Sequence, residues 1–145
     1  MNIEIINKNF TIDIYGFSGM APNKDYAGTA FALMGKMWQI VKAKNLKNKG
    51  VNIWVYDTNE QVFAGVELYE FPAADTGLEH KSITLTNYAY YNHIGPYHLI
   101  KKAGQNMKDE IKSKGFDTCL PYVEIYGHWT NDETKLETEL LMSLQ

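Results

Sequence analysis

The sequence predicts an α+β domain made of two β-α-β-β units related by pseudo-two-fold symmetry. Three observations carry this. First, the order strand, helical stripe, strand, strand occurs twice along the chain. Second, each helical stripe runs into a Lys-x-Lys-Gly segment, Lys47-Asn48-Lys49-Gly50 and Lys112-Ser113-Lys114-Gly115. Third, Ile53-Trp54-Val55-Tyr56 and Val123-Glu124-Ile125-Tyr126 stand at the same point of the two units, which marks an internal duplication. An antiparallel or mixed sheet with two long helices on one side is the expected outcome.

Taken in order, residues 10 to 15 alternate as a strand, and Gly16 and Gly19 are expected to break it. From about residue 24 to 47, Ala27, Ala30, Phe31, Met34, Met37, Trp38 and Val41 recur at spacings of three and four, one apolar helical stripe. Cations in the last turn and a glycine cap are expected to end it at Gly50. Strands are predicted at 51 to 56 and 62 to 70, joined by the turn Asp57-Thr58-Asn59-Glu60.

Residues 71 to 80, with Pro72, Ala73, Ala74 and Gly77, read as the link between a first half of about 1 to 70 and a second of about 81 to 145, within one domain spanning 1 to 145. A long strand is expected from about 82 to 93. Gly95-Pro96 then opens a helix with proline at its first position, carrying the stripe Leu99, Ile100, Ala103, Met107 and Ile111. Strands at 122 to 129 and 136 to 144, with a turn at Asn131-Asp132, complete the second unit.

Composition narrows the function. Hydrophobic residues make up 45% of the 145 and charged residues 21%, the balance of a folded globular domain and not of a disordered chain. The net charge is −3 and there is no arginine, so direct nucleic-acid binding is not expected. Cys119 is the single cysteine, which excludes an intramolecular disulfide. No apolar run has the length of a membrane span, and the N-terminus has no signal-peptide pattern, so a cytoplasmic protein without membrane contact is expected.

Strand faces locate a candidate pocket. In strand 122 to 129, Val123 and Ile125 share one face, and Tyr122, Glu124, Tyr126 and His128 share the other. In strand 51 to 56, Asn52, Trp54 and Tyr56 oppose Val51, Ile53 and Val55. Symmetric packing would bring Trp54 and Glu124 together across the midline. Glu67 also stands among aromatics, sharing a strand face with Phe63 and Tyr69. A glutamate in such surroundings is costly when unpaired and is completed by a cation, which gains both the carboxylate and the ring faces. The same patterns also fit exposed strand carboxylates with ordinary tyrosine neighbours, and Trp38 and Trp54 also fit core positions.

Further residues point to a family. Tyr88-Ala89-Tyr90-Tyr91-Asn92-His93-Ile94-Gly95-Pro96-Tyr97 is similar to the strand-to-helix signature Y-A-x-x-x-H-x-G-P-Y, and Pro121-Tyr122-Val123-Glu124-Ile125-Tyr126 to P-x-x-E-x-Y. Gly65-Val66-Glu67 resembles a G-V-E found at the end of the first half. Together they resemble the GyrI-like small-molecule-binding domains, also called AraC-type or bacterial effector-binding domains, whose duplicated fold is related to the SOUL haem-binding fold. The resemblance implies a cleft for hydrophobic, often cationic, compounds with Glu124 at its base and Tyr126 beside it. Aromatic walls carry over to Trp38, Trp54, Tyr90 and Tyr97, and Glu67 is a further candidate. No helix-turn-helix precedes these motifs in the sequence, so a stand-alone member is expected.

The leading expectation is therefore an effector-binding protein acting in ligand sensing, transcription regulation or sequestration. A homodimer through a sheet edge, or a separate regulatory protein, is the expected macromolecular partner. The alternatives are a hydrolase using a cleft glutamate as general acid or base, and a gyrase-inhibitor-like protein-binding module. No catalytic residue is assigned, because no nucleophile motif such as G-x-S-x-G occurs. No cofactor or metal is expected: His80, His93, His98 and His128 lack zinc spacing and C-x-x-C-H is absent.

Overall fold

The computed structural model describes residues 1–145. Its elements are β1 (Glu4–Ile6), β2 (Phe10–Met20), α1 (Tyr26–Ala43), β3 (Ile53–Tyr56), β4 (Gln61–Val66), β5 (Glu79–Leu85), β6 (Tyr88–Ile94), α2 (Ile100–Ser113), β7 (Thr118–Tyr126) and β8 (Glu137–Leu144). The strands form one sheet in the order β1-β6-β8-β7-β3-β4-β2-β5. Every pairing is antiparallel, which resolves the expected antiparallel or mixed sheet.

The order is palindromic about the β7–β3 pair. β2, α1, β3 and β4 match β6, α2, β7 and β8, so the expected duplication is present. Each half also receives an edge strand from the other half. β1 pairs with β6, although three residues later the chain enters β2. β5 pairs with β2, although residues 86 and 87 lead straight into β6. In a flat sheet β1 and β2, six strand positions apart, would be separated by about 29 Å. The four Cα–Cα steps from Ile6 to Phe10 span at most about 14 Å. The sheet must therefore curl until its two ends meet.

The curl creates two layers. Its inside is packed by Ile12, Ile14, Ile53, Val55, Phe63, Ile83, Leu85, Tyr88, Val123 and Leu141. Its outside carries both helices. α2 buries Ile100, Ala103, Met107 and Ile111 against Ala89, Leu140, Met142 and Leu144. α1 buries Ala30 against Val62, and Met37 and Val41 against Val66. Full burial of one such side chain contributes on the order of 1.5–3 kcal/mol.

Several expected boundaries differ. The single strand expected at 82 to 93 is two strands, because β5 joins the first half and β6 the second. Period-2 alternation runs through the join and hides it. β2 does not stop at Gly16 but continues to Met20. Gly16 pairs directly with Gly65, and a Cβ on Gly16 would overlap the Ala64 carbonyl oxygen, so the glycine permits close strand approach instead of ending the strand.

α1 ends at Ala43 and not at Lys47; Asn45, at φ 50°, takes the left-handed position that a glycine was expected to supply. α2 starts later than Pro96, which instead precedes a short 3-10 turn, Tyr97–Leu99. The other expected terminator is present, with Gly115 at φ 85° just beyond α2. β7 begins at Thr118 and stops at Tyr126, with a register shift between Cys119 and Tyr122. β1 had no counterpart among the expected strands.

Candidate functional site

The midline pair β7–β3 positions the site. Strand alternation points Tyr122, Glu124 and Tyr126 toward the helix side, and register sets Trp54 opposite Glu124 and Tyr56 opposite Tyr122. Glu124 is only 6% exposed. Its Oε1 accepts hydrogen bonds from the Tyr56 hydroxyl at 2.9 Å and the Tyr126 hydroxyl at 2.7 Å. Its Oε2 accepts from the Tyr122 hydroxyl at 2.7 Å.

The rings around the carboxylate hold one another. Tyr56 stacks on Tyr122 with centroids 5.5 Å apart, and Trp54 meets Tyr126 at 4.8 Å and 62°. Tyr26, from the first turn of α1, stands edge-on to Tyr56 at 5.8 Å. Tyr97, at the entry to α2, stands edge-on to Tyr126 at 5.7 Å. Trp38 of α1 donates its Nε1 hydrogen to Asn52 Oδ1 at 2.6 Å, which fixes it beside β3 on the same side of the sheet. The result is a cluster of aromatic rings on the helix side of the sheet, with a buried carboxylate at its centre.

Two electrostatic facts define the chemistry. No basic group completes Glu124; the ion pairs of the molecule are Lys49–Glu67, His80–Asp13, Lys81–Asp57 and Lys135–Asp132. Burying an uncompensated carboxylate costs several kcal/mol, and three charge-assisted hydroxyl bonds offset part of that. The phenols respond in turn. Burial first, then the Glu124 charge, pushes Tyr56, Tyr122 and Tyr126 well above the usual phenol range, so all three remain donors. Buried polar atoms without a partner also lie here: Trp54 Nε1, and Oγ1 of Thr138, which pairs with Tyr126 across β7–β8.

Of the candidate residues, Glu124, Tyr126, Trp54 and Tyr97 come together here, and Trp38 stands beside β3, bonded to Asn52 and packed near Met37, Val41 and Val66. Glu67 and Tyr90 do not. Both line a cavity on the inside of the curled sheet, where Glu67 pairs with Lys49 at 3.0 Å and the Tyr90 hydroxyl bonds Glu139 at 2.7 Å. Glu67 lies just beyond the end of β4, and Tyr90 shares the inner face of β6 with Tyr88. Tyr56 and Tyr122 are further site residues: alternation places them on the relevant faces, and cross-strand register brings both hydroxyls onto Glu124. His93 Nε2 lies 3.1 Å from the Pro96 carbonyl oxygen, a local bond at the Gly95-Pro96 corner.

No family model matches the chain, and no curated protein matches it. Solved structures do. The C-terminal domain of EcmrR aligns with a TM-score of 0.75 at 18% identity, over 100% of this chain and 99% of that one. In the longer EcmrR chain of an EcmrR–DNA complex, the match covers 99% of this chain but 57% of that one, with a TM-score of 0.72 at 13% identity. SAV2435 bound to tetraphenylphosphonium aligns at 0.66 and 16%, over 100% and 94% of the two chains. A hydrolase from Listeria innocua aligns at 0.60 and 10%, over 99% and 91%. At these identities the likeness is one of fold. The fold is the α+β arrangement that the resemblance to GyrI-like domains implies.

Proposed function

We propose that this chain binds apolar organic cations in a cleft between α1 and α2, with Glu124 as its anionic centre, and that it serves as an effector-binding module in sensing, regulation or sequestration. The observation that carries this is a buried carboxylate held by three hydroxyls and by no cation of its own. An incoming cation supplies the missing charge and gains the faces of Trp54, Tyr56 and Tyr126 in a water-poor setting. A carboxylate offers about four acceptor positions, and three are already taken. Cations without N–H donors, such as quaternary ammonium or phosphonium ions, therefore suit this site best. The shared fold of SAV2435, which binds tetraphenylphosphonium, supports the reading by analogy.

A regulatory role is supported in the same way by the likeness to the C-terminal domain of EcmrR. A homodimer or a separate protein would then read the ligand state. The hydrolase reading is weaker. Glu124 is committed to three phenols, which suits it to electrostatic stabilisation and not to proton transfer.

Tryptophan fluorescence tests the proposal, since Trp38 and Trp54 border the cleft. Tetraphenylphosphonium is expected to change the emission saturably, and tetraphenylborate, of the same shape and opposite charge, to leave it unchanged. Equal responses to both ions would refute the anionic-centre reading.

A further inference from the structure

The inside of the curled sheet holds a half-open cavity with a volume of about 560 Å³. That lies within the roughly 300–1,000 Å³ of sites that enclose small molecules. Ile6, Phe10, Ile12, Tyr88, Ile125 and Leu141 give it an apolar wall. Three carboxylates also line it: Glu4 from β1, Glu139 from β8, and Glu67 beyond β4.

Their partners differ. Glu67 is neutralised by Lys49 at 3.0 Å. Glu139 Oε2 accepts the Tyr90 hydroxyl, which leaves Oε1 without a protein donor, and neither oxygen of Glu4 has one. The cavity therefore combines an apolar wall with two carboxylates that no protein cation pairs, Glu139 half-buried and Glu4 at the exposed rim. Its negative potential is felt by neighbouring phenols. Tyr88 and Tyr90 are held above the usual phenol range by burial first and then by Glu139, with Glu4 contributing.

We propose that this cavity is a second ligand site, distinct from the Glu124 cleft, for a primary or secondary ammonium ion carrying an apolar body. The ammonium N–H groups would donate to Glu139 and Glu4, and the body would pack against Phe10, Ile12 and Leu141. Charge-assisted bonds of this kind are roughly twice as strong as neutral ones. The two sites thus select by hydrogen-bonding capacity. The cleft presents a carboxylate whose acceptor positions are nearly filled, and the cavity presents carboxylates whose positions are mostly open. This proposal rests on the charges and free acceptors of the cavity, not on the reading of Glu124.

The test is an NMR titration of the isotope-labelled full chain with n-octylammonium and with its N,N,N-trimethyl analogue, both below their aggregation concentrations. Octylammonium is expected to shift the amides of Ile6 and Tyr90 saturably and to bind at least fivefold more tightly there than the trimethyl ion. Glu139→Gln and Glu4→Gln are each expected to weaken octylammonium about tenfold, and Glu124→Gln to leave it unchanged. Glu4 is exposed, so its variant is expected to fold whatever becomes of Glu139→Gln. Absence of saturable binding would overturn the proposal, as would affinity indifferent to both substitutions. Shifts confined to the Trp54 indole N–H would overturn it as well. None of these results alters the expectation for tetraphenylphosphonium at Glu124, which reports on different residues.

Discussion

Trp54 and Glu124 are direct cross-strand partners on β3 and β7, the two strands about which the sheet order is palindromic. The duplicated halves thus place different chemistry at equivalent points: a ring in one, a carboxylate in the other. Trp54 packs edge-on against the ring of Tyr126, which itself donates to Glu124. Trp54→Leu is expected to keep the fold and to weaken tetraphenylphosphonium by about five- to thirtyfold, since a ring face is worth roughly 1–2 kcal/mol to a desolvated cation. Calorimetric titration of the variant checks this, and unchanged affinity would remove Trp54 from the site.

Tyr122 supplies the only hydrogen bond to Glu124 Oε2. Tyr122→Phe is expected to lower stability by about 1.5–3 kcal/mol, the range for hydrogen bonds to charged groups. Tyr69, which is 66% exposed, is the control; Tyr69→Phe is expected to change stability by under about 0.5 kcal/mol. Chemical denaturation of both variants measures the difference.

The raised phenols give a pH signature. Tyr56, Tyr122 and Tyr126 hold their protons more tightly folded than at the ordinary value of 10.0. Their contribution to stability is therefore complete below about pH 10. It is lost as pH rises further, because the unfolded chain then releases protons that the folded chain retains. Melting temperature is expected to stay level from neutral pH and to fall above about pH 10, less steeply in Tyr122→Phe. Tyrosinate absorbance should show these three groups silent until the protein unfolds.

The Gly16–Gly65 pair sets the approach of β2 to β4. Gly16→Ala would force its methyl into the Ala64 carbonyl, and no flexible side chain is there to move aside. A loss of about 1–3 kcal/mol is expected, at the level of overpacking in a core, measured by urea unfolding.

Periodicity carried much of this architecture. The stripe through Met37 and Val41, and that through Met107 and Ile111, are the faces that pack on the sheet. Alternation in β7 placed Tyr122, Glu124 and Tyr126 on one face. What alternation cannot express is which strands become neighbours. The exchange of β1 and β5 between the halves, and with it the inner cavity, depends on long-range pairing. Glu67 is a candidate from an expected strand face shared with Phe63 and Tyr69, and Tyr90 from the family resemblance, and neither source fixes the face of the sheet on which they stand. Tyr90 stands on the inner face of β6 and Glu67 lines the inner cavity, on the side of the sheet away from Glu124. Glu124 stood out because its strand is a short alternating segment whose register with β3 follows from the duplication.

The central claim is that the Glu124 carboxylate is the charge that an organic cation completes. Calorimetric titration of tetraphenylphosphonium into the wild-type chain and into Glu124→Gln tests it most directly, with folding of the variant verified by circular dichroism. The expected result is saturable one-to-one binding to the wild type and at least a tenfold loss in the variant, about 1.4 kcal/mol. Equal affinity for both proteins, or no binding to either, would contradict it.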